Sequence, residues 1–130
     1  MYPHHSMENY AQIHLQSQLK GATPHQLISM LFEGAYSAIL KAKIFMANGN
    51  VAKRGEMISR AINIIDIGLR ASLDYDKGKD IALQLDQLYE YMSRTLLQAN
   101  LQNSVESLSH VAELLLNLST TWKEIEPQKK

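Results

Sequence analysis

Between Thr23 and Glu126 the apolar residues recur at intervals of three and four and seldom alternate strictly, a pattern that predicts helices rather than strands. The Pro residues lie at 3, 24 and 127, so nothing inside this stretch carries the residue that most reliably breaks a helix. Turn-forming residues cluster at three internal places and divide the stretch into four segments.

The first segment opens at Thr23-Pro24-His25-Gln26, where the Thr23 hydroxyl can cap free N–H groups, Pro24 suits the first helical position and Gln26 can complete a capping box. Leu27, Leu31, Ala35, Ala38, Ala42 and Phe45 form one stripe, flanked by Ile28, Phe32, Ile39 and Met46, up to the stop at Asn48-Gly49-Asn50. The second segment takes Asn50 as its cap and places Ile58, Ala61, Ile62, Ile65, Leu69 and Leu73 on one face before the turn at 74–78. Met57, Ile64, Ile67 and Ala71 fall on its far side, where a helix facing water usually carries charge.

In the third segment Ile81, Leu85, Leu88, Met92, Leu96 and Ala99 share a line with Tyr89 beside it, and Leu83, Tyr91 and Leu97 are displaced from it. This segment ends near Asn100. The fourth offers Asn103 as cap with Glu106 three residues on, then Leu108, Val111, Ala112, Leu115, Leu118 and Trp122 facing one way. Trp122 is expected to anchor the end of that helix. Helices of ~20 to 25 residues, roughly 30 to 37 Å long, joined by short connections predict an all-α, antiparallel up-down four-helix bundle over residues 23–125.

Residues 1–22 differ, because His4, His5, Asn9, Gln12, His14, Gln16 and Gln18 dilute Met7, Tyr10, Ile13, Leu15 and Leu19. The segment reads as a mobile N-terminal arm, apolar enough to dock on the bundle and too sparse to hold a helix alone. Residues 126–130 read as a C-terminal tail.

Composition narrows the function. With no Cys, the chain lacks thiolate catalysis, Cys-ligated zinc and disulfides, and cytosol is the expected compartment. A formal net charge of zero argues against a phosphate-binding surface, so no nucleic-acid partner is expected. The start MYPHHSMENY has no basic region followed by a long apolar run, and no segment approaches the ~20 apolar residues of a membrane span. Neither a signal peptide nor membrane insertion is expected.

No catalytic, cofactor or metal site can be assembled. His110 and Glu113 are in the reversed order for a di-iron motif and lack a second pair, and His4-His5 reads as part of a solvated end. Gly78 stands alone in Asp76-Lys77-Gly78-Lys79-Asp80, which reads as a turn rather than a phosphate loop. What remains is the spare apolar face, with Ile64, Ile67 and Leu83 as groove candidates for an amphipathic partner helix. A homodimer sealing the same face is the competing reading, and it makes the protein a self-associating structural or regulatory bundle.

Several words are more specific than periodicity: Thr23-Pro24-His25-Gln26-Leu27-Ile28-Ser29-Met30-Leu31-Phe32-Glu33-Gly34-Ala35, Lys77-Gly78-Lys79-Asp80-Ile81-Ala82, Leu88-Tyr89-Glu90-Tyr91-Met92, Leu97-Gln98-Ala99-Asn100 and Trp122. Together, from Tyr10-Ala11-Gln12 through Trp122, they resemble the flagellin-specific export chaperone family FliS. The resemblance implies a cytoplasmic helical bundle, not an enzyme and without a cofactor. It implies a protein that binds the disordered carboxy-terminal segment of flagellin, prevents its premature polymerisation and assists delivery to the flagellar type III export apparatus. Other flagellar export or regulatory proteins are further candidate partners.

In the family the arm occupies part of the client surface when no client is bound. Tyr10 matches the arm tyrosine and Met7 is a neighbouring apolar position, so these two carry over as candidate binding or gating residues, and Ile13, another apolar residue of the arm, is a candidate with them. One departure stands out: family members often carry Gly-Gly-Glu before Ile-Ala, whereas here Gly78 is followed by Lys79-Asp80.

Overall fold

The computed structural model describes residues 21–125, and these are helical with no strand among them. Helix α1 spans Pro24–Ala47. The expected capping box forms: the Gln26 N–H donates to Thr23 Oγ1 at 3.1 Å and the Thr23 N–H donates to Gln26 Oε1 at 2.9 Å. Gly49, at φ 73°, turns the chain through a conformation that L-residues disfavour. Asn50 then accepts from the Lys53 N–H at 3.2 Å and opens α2, Val51–Asn63.

The second predicted helix does not run on as α-helix to Leu73. From Ile64 to Arg70 it widens into a π-helix. A regular 3.6-residue period in the sequence does not encode this widening, which follows from fit against α1. At Gly68 a Cβ would stand 3.0 Å from Leu31 Cδ2, so a side chain there would have to push the Leu31 methyls aside, and glycine lets the two segments meet without that shift.

The predicted turn at 74–78 is a capped single helical turn, α3, Tyr75–Gly78, with Asp74 Oδ1 accepting from the N–H groups of Asp76 at 3.1 Å and Lys77 at 3.0 Å. Helix α4 follows at Asp80–Gln102 and α5 at Val105–Glu124. The cap of α5 is one residue later than predicted. Asn103, at φ 54°, terminates α4 in the left-handed conformation that Asn tolerates, and the Ser104 hydroxyl accepts from the Ser107 N–H at 3.2 Å.

Helix α1 packs against both α2 and α5, and α4 packs against α2, the π segment and α5. The enclosed core contains Ile39, Ile58, Ile65, Met92, Leu96 and Leu115. Two predicted positions are corrected. Met57, assigned to a far face, is buried, because α2 has α1 on one side and α4 on another. Ile81, assigned to the core line, is 66% exposed and Ala82 takes its place, since α4 starts only after the chain turns at Lys79. Tyr89 is buried among the helices, and loss of hydration pushes its hydroxyl pKa up to about 12.

Lys79 joins α3 to α4 at φ 48° and ψ −117°, a region that glycine enters freely and a Cβ does not. This is the position where the resembling family often has its second glycine. Replacing Lys79 by Gly is expected to raise stability by about 1 kcal/mol in urea denaturation, as strain relief outweighs the added freedom of the unfolded chain. Leu96→Ala, which empties part of the closed core, is expected to cost about 2–5 kcal/mol in the same measurement.

Candidate functional site

The core closes before the helices end. The first buried residue of α1 is Phe32 and the last of α5 is Ser119, so both helices extend well beyond the sealed region at this end. There the start of α1, the π segment with the turn after it, the start of α4 and the last turn of α5 surround two adjoining apolar cavities. The larger is about 1000 Å³ and includes Leu27, Leu31 and Ile64; the smaller is about 560 Å³ and includes Leu73, Leu85 and Tyr89. Ile28, Ser72, Trp122 and Ile125 border both, so the cavities form one trough with a waist.

Two side chains clasp the helix ends at that waist. The Trp122 Nε1–H donates to the His25 carbonyl at 2.9 Å, and His25 Nε2 lies 2.7 Å from the Trp122 carbonyl. A carbonyl oxygen only accepts, so Nε2 carries the proton. The rings stack with centroids 4.5 Å apart and planes 9° from parallel. From the residue after Trp122, Lys123 Nζ meets Glu33 Oε1 at 2.7 Å across the same two helices.

Polar bonds fix the π segment that walls the trough. Arg70 Nε donates to Asp86 Oδ1 at 2.9 Å and its Nη1 to Asp66 Oδ1 at 3.4 Å, while the Ser93 hydroxyl donates to Asp66 Oδ1 at 2.8 Å. The Arg70 hydrogen bond holds the Asp86 carboxyl below its ordinary pKa, and the same bond raises the already basic guanidinium. Away from the trough, Arg54 donates to Asn100 Oδ1 at 2.9 Å and to Asn103 Oδ1 at 2.8 Å, tying α2 to the end of α4.

The sequence-derived candidates separate in space. Ile64 lines the larger cavity, with its Cδ1 3.4 Å from where a Cβ on Gly34 would lie. Ile67 is 73% exposed and Leu83 53% exposed, and neither borders either cavity. Met7, Tyr10 and Ile13 lie outside the described residues. Trp122 was foreseen as a helix anchor; its partner His25 was not, since a contact across 97 residues leaves no local trace. His110 is exposed and lies 3.0 Å from the Tyr91 hydroxyl. Among the described residues no group of His, Asp and Glu is arranged to hold a metal.

A family model described as "Flagellar protein FliS" matches residues 6–129. The chain belongs to the FliS family. It is 48% identical over 128 residues to the flagellar secretion chaperone FliS of Salmonella typhimurium, covering 98% of this chain and 95% of that one. The FliS of Escherichia coli is 43% identical over 124 residues, covering 95% and 91% of the two chains. That of Bacillus subtilis is 25% identical over 126 residues, covering 96% and 92%. FliS is a chaperone family of flagellar assembly and export, and this member is not an enzyme. No described helix is long and apolar enough to cross a membrane.

The Arg70 network gives this FliS a testable acid response. Because Asp86 has a lowered folded-state pKa, its contribution to stability is present above the unfolded carboxylate value near ~3.9 and is lost as pH falls through the lower folded value. Between pH 6 and pH 3 the urea midpoint of the native protein is expected to fall more steeply than that of Asp86→Asn. Parallel declines would show that the ion pair contributes nothing to acid stability.

Proposed function

We propose that the protein is a cytoplasmic export chaperone that holds the disordered carboxy-terminal segment of flagellin in the apolar trough, keeps it from polymerising early and assists its delivery to the flagellar type III export apparatus. The observation that carries this reading is an open apolar trough, with a lining drawn from α1, the π segment, α3, α4 and α5, on a member of a flagellar chaperone family. A tail that folds on binding must offset its ordering cost, and such complexes typically bury about 1,000–3,000 Å². The trough supplies the anchoring part of that area. Ile64 contributes to its wall, and the exposed Ile67 and Leu83 extend the apolar surface over which further client segments run.

In this reading the four long helices, α1, α2 with its π extension, α4 and α5, run up and down antiparallel. Short connectors at Asn48–Asn50 and Asn103–Ser104 support that course, as does the meeting of His25 near the start of α1 with Trp122 near the end of α5. Residues 23–125 form the client-binding bundle, 126–130 a tail, and 1–22 a gating arm through Met7, Tyr10 and Ile13. The connection at Gly21–Thr23 leads directly to Pro24 on the trough wall, which suits an arm competing for the same surface.

Calorimetric titration with the carboxy-terminal segment of cognate flagellin is expected to show saturable one-to-one binding with a negative heat-capacity change, and flagellin lacking the segment is expected not to bind. Tyr10→Ala is expected to alter the affinity with little loss of thermal stability. Absence of tail binding together with a concentration-dependent dimer in sedimentation would instead favour the self-associating reading.

A further inference from the structure

Trp122 borders both cavities, whereas His25 borders only the larger one. From this arrangement we infer that His25 is a positioning residue: it pins the Trp122 indole as a partition, so that a client segment engages the trough through two separate apolar anchors. The inference rests on the trough being the client site and specifies how that site selects its ligand.

Trp122 is partly buried against the core, and within that partial packing the hydrogen-bond and ring-stacking partner of its indole is His25. Beyond Ser119 the last turn of α5 has no buried residue, and Ile125 is 60% exposed. The neighbouring Lys123–Glu33 pair joins side chains that are 56% and 55% exposed, and exposed ion pairs of this kind are weak and screened by salt. The reciprocal hydrogen bonds and the stack therefore set where the indole stands. With the indole in place, each compartment has its own capacity for a bound group: about 1000 Å³ and about 560 Å³ both fall in the range typical of ligand pockets. Both linings are mostly apolar, with Ser72 on each; His25 lines the larger alone, and Asp74 and Lys77 line the smaller alone, so the two anchors have different polar neighbours. Each compartment takes an apolar client side chain, beside His25 in the larger and beside Asp74 and Lys77 in the smaller.

The test uses the full chain, its sole Trp as reporter, and the variants His25→Ala and His25→Gln. Acrylamide quenching without client reads how firmly the indole is held; titration with the flagellin carboxy-terminal segment and an alanine scan along it read recognition. Native protein is expected to show a shielded indole and two separated blocks of sensitive apolar client residues. His25→Ala is expected to expose the indole and weaken tail binding about tenfold, while His25→Gln, whose amide N–H can reach the Trp122 carbonyl, restores much of both. Affinity should follow indole shielding rather than the thermal midpoint, which a merely structural role would not produce.

A single continuous block of sensitive residues overturns the two-anchor claim, and an indole that stays shielded in His25→Ala overturns the positioning role. If the native chain does not bind the tail, the proposed function fails and the two-anchor claim with it; quenching, which needs no client, still decides whether His25 holds the ring.

Discussion

The structure depends on an apolar core that stops short of the helix ends. Phe32 and Ser119 mark where burial begins on α1 and finishes on α5, and beyond them the helix tips are joined by the reciprocal clasp of His25 and Trp122 together with the partial packing of Ile28 and Trp122 on the core. A core extending to the helix tips would leave no trough; a core that stopped without a clasp would leave the tips to fray. His25 and Trp122 reconcile the two requirements by closing the frame while leaving Ile28, Leu31 and Ile64 uncovered by the rest of the helices.

The opposite wall shows the same division of labour. The π segment presents Ile64 to the larger cavity, buries Ile65 in the core and sets the buried Leu69 at the lining of the smaller cavity, so one segment contributes to the core and to both cavities. Arg70 holds that segment to α4 through Asp86, and Gly68 lets it lie against Leu31. Lys79 has a less favourable part. Its positive φ is imposed by the sharp passage from α3 into α4, and that passage places Ala82 in the core and Ile81 at the border of the smaller cavity.

Long periodic features were legible in the sequence because helix formation and burial act on the same residues. The Thr23 capping box, the Asn50 cap and the stripe from Leu88 through Leu115 could be read without a structure, and so could the family, through words spread over the chain. Features set by tertiary fit were not legible. The π widening after Asn63 leaves the apolar spacing nearly unchanged, the Asn103 to Ser104 cap shift is a choice between adjacent capping residues, and Met57 looks outward until both neighbours of α2 are known. Of the three groove candidates read from the wheel, Ile64 lines the larger cavity while Ile67 and Leu83 border neither of the two cavities, and the wheel gave no sign that His25 meets Trp122.

The central claim is that the clasped, apolar end of the molecule receives the flagellin tail. Isoleucine methyl spectra recorded with and without that segment test it most directly, because Ile28, Ile64 and Ile125 line the trough while Ile44 is an exposed residue far along α1. The account predicts large shifts at the three trough methyls and an unchanged Ile44 signal. Shifts centred on Ile44, with Ile28, Ile64 and Ile125 unmoved, would contradict it.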